Sequence, residues 1–156
     1  MSDAYLDGLK ILSRRELSEA QVRQRLARKK HDADAIDAAI ARLRAERAID
    51  DARVAEAIAR TETSVRRRGK LRVRMQIQQA GISKEIAKRA IDEVFSAIDD
   101  DALIEASLRK RLRGRDTIED DREFQRLYRY LIAQGFEHER IMRVLSARSR
   151  HVRHRD

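Results

Sequence analysis

The sequence predicts an all-α protein built from three tandem three-helix repeats stacked into an elongated, curved module. Three observations lead there. Proline is absent and glycine occurs only five times in 156 residues, so the chain favours helices joined by short connections. Charged residues make up 40% of the sequence, against roughly 25% in an average globular protein. With 42% apolar residues the core must be thin and bordered by charge. The third observation is a repeat. The segments VRQRLARKKH, VRMQIQQAGI and LYRYLIAQGF begin at Val22, Val73 and Leu127, at offsets of 51 and 54 residues. Each has an aliphatic residue, a second four positions later (Leu26, Ile77, Leu131) and then a break, at Lys30-His31, Gly81-Ile82 or Gly135-Phe136. A period near 50 with three helical stretches per period is the mark of a repeat architecture, in which stacked units share a core that none could bury alone.

The first repeat covers about 3–48. Ser18 with Gln21 fits a capping box ahead of Val22 and Leu26. Asp32 or Asp34 can cap the following run, whose Ile36, Ile40 and Leu43 share one helical face. The second repeat, about 49–97, opens at Asp50-Asp51, and its first helix runs from near Asp51 to Arg66, Arg67 and Arg68. Val73 and Ile77 anchor the next helix, and Ser83 can cap the run carrying Ile86, Ala90 and Val94. The third repeat, about 99–149, opens at Asp99-Asp100-Asp101, where acids suit the positive end of a helix dipole. EDDRE at 119–123 starts a helix with a core stripe of Phe124, Leu127, Tyr128 and Leu131, and Ile141, Val144 and Leu145 follow on the last helix. Gly69, Gly81 and Gly135 suit helix C-caps. RHVRHRD, residues 150–156, closes the chain as a basic tail.

A net charge of +9 and a pI near 10.4 favour nucleic acid or another acidic surface as partner, with an indifferent basic protein as the alternative. Cysteine is absent, which removes disulfides and thiol chemistry. MSDAYLDGLK lacks the apolar run of a signal peptide, and no stretch approaches the ~20 apolar residues of a membrane span, so an intracellular, cytoplasmic protein without membrane contact is expected. No enzyme is visible. Gly69-Lys70 resembles a phosphate loop, but Ser64 and Leu71 break that pattern. His31 and His138 lie near helix starts, where they can cap or face solvent, and His151 and His154 lack a third ligand. No cofactor and no metal are expected.

RRRGKLRVR, residues 66–74, concentrates the charge. Arg66, Arg67 and Arg68 have two readings: cations favoured by a helix C-terminus, or a contact to a partner. Lys70, Arg72 and Arg74 sit at the next helix start, where the dipole disfavours positive charge, and this points to an anionic partner. Helix-start amides would assist. Arg122, Arg126, Arg129 and Tyr130 share the face of a helix opposite its core stripe. That row is either a solvated surface or a clasp for a phosphate backbone with one exposed aromatic for stacking. Arg23, Arg25, Arg28, Lys29 and Lys30 are dense but spread around their helix, and Arg148, Arg150, Arg153 and Arg155 add unspecific polyanion affinity.

SRRELSEAQVRQRL, IDDARVAEAIAR and RRGKLRVRMQIQQAGI resemble successive signatures of the RecX family of RecA regulators, from about Tyr5 to Val144. The chain keeps Gly69, Arg72, Val73, Arg74, Ile77 and Gly81-Ile82 of the family pattern. It has Lys70-Leu71 in the turn, Gln76 for a glutamate, Ala80 for a lysine and Val54 for a phenylalanine. The resemblance implies binding to RecA nucleoprotein filaments, in the groove or at an end, and three similar units in one chain favour a monomer that tracks a polymer. The resemblance also implies inhibition or modulation of strand exchange, ATP hydrolysis and the coprotease activity behind the SOS response. Single- or double-stranded DNA would be a weaker, salt-sensitive partner. Two rivals remain at this point: a helix-turn-helix DNA-binding protein using Arg72 and Arg74, and an adaptor whose basic stripes meet acidic protein surfaces without DNA affinity.

Overall fold

The structure, a computed structural model, describes residues 3–149. The expected basic tail at 150–156, with Arg150, His151, Arg153, His154 and Arg155, lies outside the described residues. Among the described residues there are nine helices and no strand. They are α1 (Ala4–Leu12), α2 (Glu19–Arg28), α3 (Ala33–Ala45), α4 (Asp51–Ser64), α5 (Lys70–Gln79), α6 (Lys84–Phe95), α7 (Asp100–Leu112), α8 (Asp121–Ala133) and α9 (His138–Ala147). The all-α expectation holds, and no helix of the described residues is long and apolar enough to cross a membrane.

Local side-chain chemistry sets most helix starts. The capping box forms at Ser18, whose hydroxyl accepts the Gln21 N–H while the Gln21 side chain receives the Ser18 N–H at 3.0 Å. Of the two candidates for α3, Asp32 is the cap, accepting the Ala35 N–H at 2.8 Å. Asp50 accepts the Arg53 N–H at 3.2 Å, Ser83 the Ile86 N–H at 3.3 Å, and Asp99 the amides of Asp101 and Ala102. Asp120 accepts the Glu123 N–H at 2.8 Å, so EDDRE does open a helix.

The repeat is written into the backbone at the helix ends. Lys30, Gly81 and Gly135, each eight residues past the start of its repeated segment, all have positive φ, of 67°, 77° and 95°. After α2 the Lys30 N–H donates to the Ala27 carbonyl and His31 to Leu26; after α8 Gly135 donates to Ile132 and Phe136 to Leu131. These are paired Schellman closures, which need a left-handed residue. Lys30 takes that conformation without being glycine. Gly69 departs from expectation: its φ is not positive, and the left-handed residue in that turn is Arg67, at φ 53°.

Two compact units divide the chain. One gathers residues up to Ile58 together with Gln76–Ala90. Its core includes Leu17, Val22, Leu26, Ile36, Ile40, Leu43 and Ile49. Full burial of a Leu or Ile side chain contributes about 1.5–3 kcal/mol. The Ser18 hydroxyl also donates to the Ala80 carbonyl, tying the start of α2 to the end of α5. His31 neither caps nor faces solvent; its Nε2 lies 2.7 Å from the Asp7 carboxylate, and only 9% of its side chain is exposed.

The other unit comprises Ala59–Met75 and the chain from Ile91 on. Its core is built from Ile104, Leu108, Leu112, Phe124, Leu127, Leu131, Phe136, Ile141, Val144 and Leu145, with Tyr128 half-buried at its margin. His138 Nδ1 pairs with the Tyr128 hydroxyl at 2.6 Å, and Arg148 is held by Glu105. The boundary between the units falls inside α4, α5 and α6.

Candidate functional site

All ten sequence-predicted contact residues fall in the second unit. α4 ends at Ser64, so the three arginines follow the helix instead of closing it. The turn that carries them is held by backbone bonds from Val65 to Thr61 (3.0 Å), Arg67 to Thr63 (3.2 Å) and Arg68 to Glu62 (2.9 Å). Glu62 is buried at 6% exposure and answers two of the cations. Arg68 donates to its carboxylate at 2.8 Å, and Arg66 lies 3.5 Å away. Arg67 is exposed and makes no ion pair among the described residues.

The start of α5 is less open than its sequence implies. The Gly69 N–H donates to the Gln134 carbonyl at 2.9 Å and Leu71 to the Gly135 carbonyl at 3.1 Å. The carbonyl end of α8 thus meets the amide end of α5, a favourable dipole arrangement. Those two amides are spent within the chain and do not serve an outside anion, which corrects the expectation. Gly69 is needed for this approach, since a Cβ there would lie 2.5 Å from the Gly135 oxygen. Lys70 has an internal partner: its Nζ is 3.8 Å from Asp100, over the Phe95 ring at 5.6 Å. Asp100 also faces Arg140 at 3.5 Å. Burial pushes its carboxyl above the usual aspartate range, although Arg140 and Lys70 pull it down. Arg72 is half-buried, and its Nε has no hydrogen-bond partner. Arg74 is exposed and makes no ion pair among the described residues.

On α8, Arg122, Arg126 and Arg129 form the exposed row that the helical wheel predicts. Arg126 stands 3.8 Å from Glu123, and Arg129 Nε donates to the Gln125 carbonyl at 3.4 Å. Glu123 is held below the usual glutamate range, first by the hydrogen bond from Arg115. Tyr130 parts from this row. It is half-buried, its hydroxyl accepts from Gln134 at 3.0 Å, and the Arg111 guanidinium sits 3.5 Å above its ring centroid. It is therefore not a free stacking platform.

Tyr130 instead joins Arg66 and Arg67 in a groove shared with Arg109, Lys110 and Arg111 of α7. Sequence reasoning missed these three residues. The signal was present, because LRKRLRGR at 108–115 carries five cations and no acid. A run late in a helix reads as ordinary dipole chemistry until its neighbours are known.

Comparison with known proteins follows the same repeat. The family description "RecX, first three-helix domain" matches residues 4–43, and "RecX, second three-helix domain" matches 50–91. The chain is similar to the "Regulatory protein RecX" of Syntrophotalea carbinolica, 32% identical over 86% of this chain and 89% of that protein. It is 35% identical to the protein of the same name from Acidithiobacillus ferrooxidans, over 94% of this chain and 91% of the relative. Against that of Geobacillus kaustophilus it is 31% identical over 96% of this chain, which spans only 55% of the relative's length. The crystal structure of RecX from Lactobacillus salivarius shares the fold with a TM-score of 0.75 at 20% identity, over 92% of this chain and 93% of that one. With family matches to both three-helix domains and relatives above 30% identity along most of its length, the chain belongs to the RecX family.

Proposed function

We propose that this chain binds the RecA–DNA filament as a monomer in the cytoplasm and restrains RecA's recombinase, ATPase and coprotease activities in recombinational DNA repair and the SOS response. Its relatives are named regulatory proteins. The observation that carries the reading onto this chain is the pair Arg67 and Arg74. Both are exposed, both lack an ion-pair partner among the described residues, and they flank the turn that most resembles the family pattern. Cations without internal partners are available to an acidic protein surface or a phosphate backbone. Arg122, Arg126 and Arg129 extend the same charge along α8, and DNA is the weaker, salt-sensitive partner.

The test is RecA's single-stranded-DNA-dependent ATP hydrolysis, with this chain added well below the RecA concentration. The informative variant is Arg67→Glu with Arg74→Glu. Lys70 and Arg72 are poor choices, because Lys70 holds Asp100 and Arg72 packs against Gly135. Strong inhibition by the native chain, lost in the variant at unchanged melting temperature, is the expected result. No inhibition, together with salt-sensitive binding to bare duplex DNA, would replace this reading with the helix-turn-helix one.

A further inference from the structure

Two neighbouring concavities of the second unit are lined by cations from the end of α7. The larger, about 710 Å³, takes Arg66 and Arg67 from the turn after α4 and Arg109, Lys110 and Arg111 from α7, with no acid in its lining. The smaller, about 460 Å³, shares Lys110 and Arg111 and adds Arg113, Arg115 and Arg126 beside Glu123. In the larger one, only Arg66 has an acidic partner among the described residues, Glu62. Like charges gathered around a concavity repel one another, and a bound anion relieves this.

Ser107 supplies an observation independent of charge. It lines the larger concavity, is 4% exposed, and its buried hydroxyl has no hydrogen-bond partner. A helical hydroxyl ordinarily returns to the carbonyl one turn back, as Ser64 does to Arg60 at 2.6 Å and Thr63 to Ala59 at 2.9 Å. Ser107 leaves that bond unmade, and a buried hydroxyl without a partner is a cost that needs a reason. An anion oxygen entering beneath the flexible arginines supplies the missing acceptor. Arg111 is already placed for this, since its guanidinium is held over the Tyr130 ring.

The chemistry favours phosphate over carboxylate. A carboxylate offers two oxygens and is satisfied by one guanidinium fork, whereas a phosphate group presents more acceptors to several forks and a hydroxyl at once. We infer that this groove is a phosphate-binding site, receiving the phosphate oxygens of a nucleic-acid backbone or of a free phosphorylated molecule among Arg67, Arg109 and Arg111, with Ser107 donating beneath them. The cations that continue past Lys110 and Arg111 into the smaller concavity favour a strand with successive phosphates. The site belongs to the chain alone and does not depend on its binding a recombinase filament.

The test uses the full chain without any recombinase. Binding of a fluorescein-labelled oligothymidylate is followed by anisotropy, and inorganic pyrophosphate is titrated calorimetrically. Arg109→Glu with Arg111→Glu should abolish binding, while Arg25→Glu with Arg28→Glu, an equal charge change at exposed positions of the first unit, should leave most of it. Ser107→Ala should weaken binding about tenfold, as expected for one hydrogen bond to a charged acceptor, with melting temperature unchanged or raised. A purely structural serine would instead lower the melting temperature and leave binding alone. Pyrophosphate binding lost in the variants supports the site with a free phosphate as sufficient ligand. Oligothymidylate binding without pyrophosphate binding supports it with the strand as source. Binding of neither probe, or loss in the Arg25→Glu, Arg28→Glu control equal to that in the groove variants, overturns it.

Discussion

Gly135 and Arg72 meet backbone to side chain with no room between them: a Cβ on Gly135 would fall on the Cβ and backbone nitrogen of Arg72. The same glycine has φ +95°, closes α8, and offers its carbonyl to the Leu71 N–H. Three requirements thus converge on one position. Gly135→Ala should lower stability by about 3 kcal/mol, combining left-handed strain with a clash against backbone that cannot swing away. Thermal unfolding followed by circular dichroism checks this, and an unchanged melting temperature would contradict the packing described.

Glu62 divides the arginines of the turn into structural and free ones. Glu62→Ala leaves Arg68, with 18% of its side chain exposed, without its carboxylate. The expected loss is about 2 kcal/mol, since an ion pair broken from one side strands the other charge. Arg67→Glu should change stability by less than about 0.5 kcal/mol, as is usual at an exposed position without partners. Urea denaturation of both variants separates the two roles, and equal losses would show that the division is false.

Acid sensitivity should enter through Glu123. The Arg115 guanidinium donates to both its oxygens, at 3.1 and 2.6 Å, and holds its folded pKa below the ordinary glutamate value. A depressed carboxyl contributes stability that is fully present above the unfolded pKa, about 4.3, and lost as pH falls through the lower folded value. Glu123→Gln should therefore be less stable than the native chain at pH 7, by about 1 kcal/mol after allowing for the exposure of Arg115. The difference should shrink as pH falls below the unfolded value and close once the lower folded value has been passed. A difference that does not shrink as the carboxyl is titrated would mean that packing, not charge, is responsible.

Lys30 occupies the position that glycine holds in the other two repeats, at φ 67°. Lys30→Gly removes the left-handed penalty of about 1–2 kcal/mol and adds about 0.5–1 kcal/mol of unfolded-chain entropy cost. The net expectation is a gain of about 0.5–1 kcal/mol in thermal or urea unfolding. A loss would show that the Lys30 side chain contributes contacts of its own.

Much of the fold was legible before any coordinates. The stripes of Val22 and Leu26, Val73 and Ile77, and Leu127 and Leu131 are all buried, and Ser18, Asp32, Ser83 and Asp99 cap where their spacing indicates. Gly69 was legible as important but not for the right reason: its value is the close approach to Gly135, and the left-handed turn passes to Arg67. The candidate site was half legible. RRRGKLRVR drew attention to the turn after α4, which leaves Arg67 and Arg74 without ion-pair partners among the described residues; LRKRLRGR drew none, and Tyr130 is half-buried beneath Arg111 instead of standing in the exposed row.

The sequence by itself determined the helices, their caps and the repeat, because these depend on apolar period and on hydrogen bonds among residues within a few positions of one another. Only the tertiary structure decided which cations are available. Lys70 is answered by Asp100, Arg68 by Glu62 and Arg148 by Glu105, whereas Arg67, Arg74 and Arg109 have no ion-pair partner among the described residues. Lys70 and Arg148 find their carboxylates on other helices and Arg68 finds its own back across a turn, and no local pattern records those meetings. Ser107 shows the same limit, since a hydroxyl is orphaned only by what packs around it.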